Sequence, residues 1–304
     1  MLITPRFFAN HTSGFYTVAR LAEHGAHVYM CARTPTKGHA AIEKIKGLYP
    51  NANVTLLEMD NNSLASVVAA AKLLRTKETT LHGVINNAGV MATPFEMTKD
   101  GHESQWQTNY LAHWLFTYHL LPLLRSTAKT LPPGSVRIVN LSSSGHYSAP
   151  KGGINFADLS LADQGGMTRY GQSKLANVLH AKTLHGQYGP GASGVTAEDG
   201  QIWSSTVHPG LVKTDIGNSA QLPGALLAMV DIYKSLGGGV DADTGAWTSV
   251  FCAASPQMKA EQSGTYFQRI AEPGCQSGNA KNLDLAAELE KWTLKEMEKG
   301  GWLQ

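Results

Sequence analysis

Short apolar runs alternate with longer helical stretches along most of this chain. No other feature restricts the fold as much. The runs Met1–Thr4, Ala26–Cys31, Ala52–Glu58, Gly83–Asn86, Ser135–Leu141 and Gln201–Val207 read as strands. Between them, Phe15–His24 stops at Gly25 and Lys37–Tyr49 stops before Pro50, the residue types that ordinarily end helices. Ser63–Arg75, His102–Arg125 and Thr168–Tyr188 follow with the same helical pattern. Parallel strands need long crossovers, and helices of this length supply them. The pattern therefore predicts right-handed βαβ units and an α/β fold: a doubly wound, mostly parallel sheet flanked by helices. Beyond residue 208, Asp243–Ala254 and Asn282–Lys299 read as helices and Gly264–Phe267 as a last strand. Residues 189–200 read as a flexible surface loop. Residues 211–242, with a helical stretch at Leu222–Leu236 framed by Pro223 and Gly237-Gly238-Gly239, are expected to form a substrate lid. No composition shift marks a boundary, so residues 1–304 are expected to form a single domain.

Composition narrows the function classes. Hydrophobic residues make up 42% of the chain and charged residues 16%, which excludes a disordered chain. The net charge is +2, too small to form a footprint for nucleic acid. No apolar run reaches the roughly 18 residues of a spanning helix, so no membrane span is expected. The N-terminus lacks the basic and apolar regions of a signal peptide. Cys31, Cys252 and Cys275 are isolated and odd in number, which argues against a disulfide framework and for a cytoplasmic location. The pairs His113/His119 and His180/His185 do not fit two ligands on one helix face, so no metal is expected. The sequons at Asn53 and Asn140 fall inside strands and read as accidental.

The residues that carry chemistry collect at strand ends. In Tyr170-Gly-Gln-Ser-Lys174 the tyrosine and lysine share one helix face. A neighbouring ammonium favours phenolate, which would make Tyr170 a usable acid/base. A second Tyr-x-x-x-Lys, Tyr147 to Lys151, contains Pro150 and precedes Gly152-Gly153; it reads as a loop coincidence. The strand ending at Leu141 runs into Ser142-Ser143-Ser144, another into Asn87-Ala88-Gly89, and a third into His208-Pro209-Gly210. Parallel sheets bind ligands at this edge.

These stretches together resemble the short-chain dehydrogenase/reductase family, in its retinol-dehydrogenase-like branch with fungal relatives. The matching segments are Arg137–His146, Tyr170–Leu179, Asn109–Thr117 and Val207–Thr214. The interval between Ser143 and Tyr170 is longer than in most of the family and similar to that branch. The resemblance implies a Rossmann-like fold and an oxidoreductase with four catalytic residues. Tyr170 exchanges a proton with the substrate oxygen. Lys174 lowers its pKa and holds the nicotinamide ribose. Ser143 hydrogen-bonds the reacting oxygen, with Ser142 and Ser144 as lesser candidates. Asn109 supports a water relay to Lys174. His146 matches a position beside the active-site serine. Trp106, Trp114, Phe116 and Tyr118 read as core or subunit interface, and the resemblance implies a homodimer or homotetramer.

For the cofactor, the resemblance points to Asp60 at the adenine, to Asn87, Ala88 and Gly89 along the adenosine ribose, and to Pro209, Gly210 and Thr214 at the nicotinamide. The strand ending at Cys31 continues Ala32-Arg33-Thr34-Pro35-Thr36-Lys37 without an acidic residue. An acid there would bind a ribose 2′-hydroxyl, whereas an Arg accommodates a 2′-phosphate, so Arg33 and Lys37 favour NADP(H). The departure lies in the glycine-rich phosphate loop. Aligned back from Gly25, Gly14 matches its last glycine, Pro5 replaces the first, Thr12 replaces the middle one, and about three residues are added. Thr12, Ser13, Gly14 and Phe15 remain the candidate phosphate contacts, and Arg6 could pair with phosphate.

Three consequences of this loop compete. The loop is remodelled and still binds NADP(H); dinucleotide binding is lost; or the scaffold serves a non-redox isomerase, dehydratase or cyclase. A non-catalytic sensing or partner-binding protein is a further class, opposed by the intact Asn109, Ser143, Tyr170 and Lys174. The leading expectation is an NADP(H)-dependent enzyme interconverting carbonyl and alcohol on a small or medium lipophilic substrate. The fungal-looking relatives suggest secondary metabolism by analogy.

Overall fold

The first strand of the sheet, β1 (Arg6–Asn10), lies between β2 (His27–Ala32) and β4 (Gly83–Asn86). The computed structural model describes residues 6–10, 14–193, 195–196, 199–212, 239–268 and 270–304. Among these, β3 (Asn53–Glu58), β5 (Val136–Leu141), β6 (Ile202–His208), β7 (Tyr266–Gln268) and β8 (Glu272–Pro273) complete the sheet, in the order β3-β2-β1-β4-β5-β6-β7-β8. Every pairing is parallel except β7 with β8. The strand order reverses direction between β1 and β4, which opens a crevice at their carboxyl ends.

The expected strand Met1–Thr4 lies outside the described residues. The strand that fills the first position is later in sequence and includes Phe7-Phe8-Ala9, a run of high β-propensity that follows Pro5. Proline lacks the N–H a central strand must donate. Pro5 stands before β1 in the sequence and so is not in the loop between β1 and the next helix, which consists of His11–Ser13.

Helices α1 (Gly14–Glu23), α2 (Pro35–Leu48) and α3 (Leu64–Lys77) follow the first three strands. The helix expected from His102 begins as α4 (Ser104–Trp106), widens into a π-turn over Gln107–Leu111, and continues as α5 (Ala112–Ala128) through Pro122. Helix α6 (Gly166–Tyr188) carries Tyr170 and Lys174, and α7 (Ala242–Ala254) and α8 (Leu283–Lys299) follow. The short antiparallel β8 was not expected from sequence. The helix expected at Leu222–Leu236 and most of the expected lid lie outside the described residues.

Apolar packing covers both sheet faces. Val18, Leu21, Ile42, Ile45, Cys252 and Phe267 fill one side. Leu64, Leu74, Trp106, Tyr110, Leu115 and Leu289 fill the other. β5 is buried along its whole length, as a central parallel strand must be. Trp106, Trp114 and Phe116 lie in this chain's own core, and Tyr118 stacks on Trp114 at 5.2 Å. Helix α8 covers them: Trp114 Nε1 donates to Glu290 (2.8 Å) and Trp292 meets Trp106 edge-on (6.1 Å).

Candidate active site

The carboxyl ends of β4, β5 and β6 and the first turns of α6 bring the expected catalytic residues together. Ser143 caps a 3-10 turn over Ser144–Ser148. Its Oγ accepts from Gly145 N at 3.0 Å and hydrogen-bonds the Tyr170 phenol. Tyr170 is 4% exposed, and its ring passes so near the turn that a Cβ on Gly145 would stand 2.6 Å from Cε1. Only glycine at position 145 leaves the ring that space. A Cβ on Gly171 would likewise meet Ala149 N at 2.6 Å, so α6 and the turn touch backbone to backbone.

The three consecutive serines separate by contact. Ser142 is buried and its Oγ donates to Lys174 O at 2.7 Å, pinning α6 to β5. Ser143 faces Tyr170, and Ser144 is exposed. The decoy Tyr147 and Lys151 lie in the 3-10 turn and a following turn, both exposed, with no helix between them.

Lys174 is fully enclosed. Its Nζ donates to Leu141 O at 3.0 Å and lies 5.7 Å from the Tyr170 ring centre. Burial presses its pKa from 10.5 down to about 8. Burial also raises the Tyr170 pKa above 10.0, while the Ser143 hydroxyl partly opposes that shift. This reverses the expected lowering by Lys174: loss of hydration outweighs an ammonium that is turned toward Leu141. Tyr170 is therefore a neutral phenol that holds its proton at neutral pH.

Asn109 sits in the π-turn. Its Oδ1 accepts from Val90 N (2.8 Å), and its Nδ2 donates to Val90 O (3.0 Å) and Ser173 Oγ (2.9 Å). Wide helical turns of this kind concentrate at functional sites. Gly89 fills the gap between Asn109 and Lys174: a Cβ there would stand 3.1 Å from Lys174 Nζ and 3.2 Å from Asn109 Oδ1. Below them, Asn86 donates to Asn140 (2.8 Å) and Thr117 (3.0 Å), and Asn177 donates to Leu141 O (3.0 Å).

Sequence reasoning missed the groups that hold this arrangement. Leu141 contributes only a carbonyl, which no motif can show. Arg169, beside Tyr170, is 6% exposed and pairs with the buried Glu103 at 3.3 Å. It also donates to Thr93 O at 3.0 Å, so it ties the α6 N-terminus to the loop before α4. A charged residue next to the tyrosine was the available signal.

The expected dinucleotide contacts border a cleft that continues from this site past β1. Asp60 lines it with Cys31, Ala32, Arg33, Ala88 and Gly89. Gly14 opens α1, and with Phe15, Arg33, Thr34 and Lys37 it lines the adjoining groove between α1 and α2. A Cβ on Gly14 would lie 3.1 Å from Asn87 Nδ2, which brings the helix start against the end of β4. Arg33 directly follows β2 and Lys37 lies in the first turn of α2; both are exposed. Asp60 Oδ1 accepts from Asn62 N (3.0 Å). Pro209 and Gly210 follow β6, with Gly210 at φ 87°. Thr12, Ser13 and Thr214 lie outside the described residues. A helix start with no acidic residue in its first turn, cationic residues after β2 and a buried ammonium without a carboxylate bonded to it among the described residues fit a nicotinamide dinucleotide.

Known proteins share this arrangement. The family model for short chain dehydrogenase matches residues 9–222. The chain is 48% identical over 294 residues to the short-chain dehydrogenase/reductase drtF of Aspergillus calidoustus, covering 94% of this chain and 90% of that protein. It is 36% identical over 270 residues to retinol dehydrogenase 12 of Mus musculus, covering 85% of this chain and 75% of the relative. A crystal structure of an uncharacterized protein from Mycobacterium Paratuberculosis superposes with a TM-score of 0.71 at 26% identity, covering 97% of this chain and 93% of that one. The family binds nicotinamide dinucleotides, and its fold and motifs are those described above. The chain belongs to the short-chain dehydrogenase/reductase family, as a retinol-dehydrogenase-like oxidoreductase with fungal relatives.

Proposed function

We propose that the protein is an NADP(H)-dependent enzyme interconverting a carbonyl and an alcohol on a small or medium lipophilic substrate. The observation that carries this reading is the buried Tyr170 phenol, hydrogen-bonded to Ser143 and next to the enclosed Lys174 ammonium. Family membership favours this redox reading over an isomerase, dehydratase or cyclase. When bound, nicotinamide supplies or accepts the hydride. In the reducing direction Tyr170 gives its proton to the oxygen that becomes the alcohol, and the Ser143 hydroxyl steadies the charge developing there. Lys174 then stabilises the phenolate that remains, and Asn109 anchors the loop that holds Gly89 against Lys174. Arg33 after β2 and Lys37 in the first turn of α2, in a segment without an acidic residue, would meet a 2′-phosphate. The isolated thiols support a reducing, cytoplasmic setting; a place in secondary metabolism rests only on analogy with the fungal relatives.

Fluorescence titration of NADPH with the protein, followed by a panel of lipophilic ketones and aldehydes, tests the reading. NADPH is expected to bind more tightly than NADH, and Tyr170→Phe is expected to abolish turnover while leaving NADPH binding within about threefold (under 1 kcal/mol). Absence of NADPH binding at about 1 mM would sink it.

A further inference from the structure

The turn after Ser143 contains a histidine whose two ring nitrogens are both committed. His146 is 1% exposed. Its Nδ1 lies 2.7 Å from Ser143 O, and its backbone N donates to the same carbonyl at 3.1 Å. A carbonyl only accepts, so Nδ1 carries the hydrogen. On the other side of the ring, Ser277 N donates to Nε2 at 3.2 Å. A backbone N–H only donates, so Nε2 is bare. The ring is thereby fixed as the neutral Nδ1–H tautomer. It packs on Tyr147 at 4.3 Å and against the edge of Tyr266 at 5.2 Å. Ser277 Oγ in turn accepts from Ala280 N at 3.2 Å, in the turn that leads into α8.

We propose that His146 is a positioning residue for the oxidoreductase, a two-sided tie that fixes the Ser143 backbone through Nδ1–H and registers it against the segment around Ser277 through Nε2. The inference rests on the proposed role of Ser143. It assigns the C-terminal segment a part in setting where the serine hydroxyl stands relative to Tyr170. Protonation of the ring would set an Nε2–H against the Ser277 N–H and break the second tie. The titratable groups facing the ring are Tyr147 from its own turn, Tyr266 from β7 and His208 from β6, with Tyr170 of α6 reached through Ser143. None of them is a carboxylate, and burial favours the neutral ring.

Two substitutions dissect the tie, because an asparagine amide reaches the place of Nδ1 and a glutamine amide the place of Nε2. H146N keeps a donor for Ser143 O and loses Ser277; H146Q does the reverse. In H146N, which loses only the Ser277 tie, kcat is expected to fall about threefold to tenfold from the parent, and a parent-like kcat removes the C-terminal segment from the proposal. In H146Q it falls on the order of tenfold to a hundredfold, with the NADPH Kd unchanged. Equal kcat in the two variants overturns the proposal, since a merely structural histidine would not distinguish them. Nitrogen-detected NMR of the unsubstituted protein decides the geometry without turnover. The His146 resonance, identified by its loss in H146N, should show Nδ1–H and stay neutral at about pH 6.5, where an ordinary histidine is half charged. An Nε2–H tautomer or a protonated ring overturns the tie. A parent that turns over no carbonyl defeats the reductase reading instead, and leaves the tautomer result to decide this one.

Discussion

Lys174 shows what the active site costs the fold. Its pKa of about 8 in the folded chain lies below the 10.5 of an exposed lysine. The unfolded chain therefore binds that proton more tightly, and stability rises with pH across this interval. At neutral pH the enclosed charge costs roughly 3 kcal/mol, partly offset by the bond to Leu141 O. Lys174→Met is expected to raise the melting temperature of the cofactor-free protein at pH 7 and to eliminate turnover. Differential scanning fluorimetry checks the first outcome and a carbonyl reduction assay the second; a lower melting temperature would contradict it. The two neighbouring serines should part company in the same way. Ser143→Ala is expected to lose turnover on the order of a hundredfold with stability unchanged. Ser142→Ala removes the bond to Lys174 O and should cost about 1 kcal/mol in urea unfolding. Sequence spacing was enough to put Tyr170 and Lys174 on one helix, where the structure has them. It could not separate three adjacent serines, because their difference lies in which groups α6 presents to them. Nor could it give the direction of the Tyr170 shift, which depends on burial that spacing does not reveal.

At the scale of elements, most strand and helix positions were legible because apolar period and stop residues act locally. β4 falls on its expected bounds, Gly83–Asn86, and α8 begins one residue inside its own, with Asn282 as the cap that accepts from Asp284 N and Leu285 N. Three things were not legible. β1 lies later than expected because proline and phenylalanine compete for a central position. The π-turn over Gln107–Leu111 was missed because one extra residue in a turn leaves the apolar stripe nearly intact. β8 holds only two residues and takes its partner from tertiary pairing. The Glu103–Arg169 pair belongs to this scale, since it ties two elements that apolar patterning does not relate. Glu103→Gln leaves a buried guanidinium without its counter-charge and is expected to cost about 3–5 kcal/mol. A shift in the guanidinium-chloride midpoint measures it; an unchanged midpoint would remove the pair from the structural account.

Over the whole molecule, the sheet order places the cofactor crevice, and the two apolar layers hold helices on either side of it. Helix α7, which follows the long segment after β6, is tied to α1 by Arg20 and Asp243. Arg20 also reaches Glu23 (2.9 Å) and Tyr49 (3.2 Å). The Arg20 and Asp243 side chains are 32% and 26% exposed, so solvent screening limits the pair. Asp243→Asn is expected to cost no more than about 1 kcal/mol, measured by thermal unfolding, with a smaller loss at high salt. Assembly could not be read from sequence: aromatic residues on a long helix look alike whether a second subunit or a helix of the same chain covers them. Here α8 covers Trp106 and Trp114.

The place of β1 between β2 and β4 sets an order of events during synthesis. Of the described strands β1 is made first and finds β2 soon afterwards, yet one edge stays open until Gly83–Asn86 has been made. The aromatic layer under α5 stays uncovered still longer, until the chain reaches Trp292. A nascent chain of this kind exposes an unpaired strand edge and apolar surface through most of its translation, the condition in which chains call on chaperones. The central place of β1 thus also makes the earliest of the described strands the one that waits longest for its second partner.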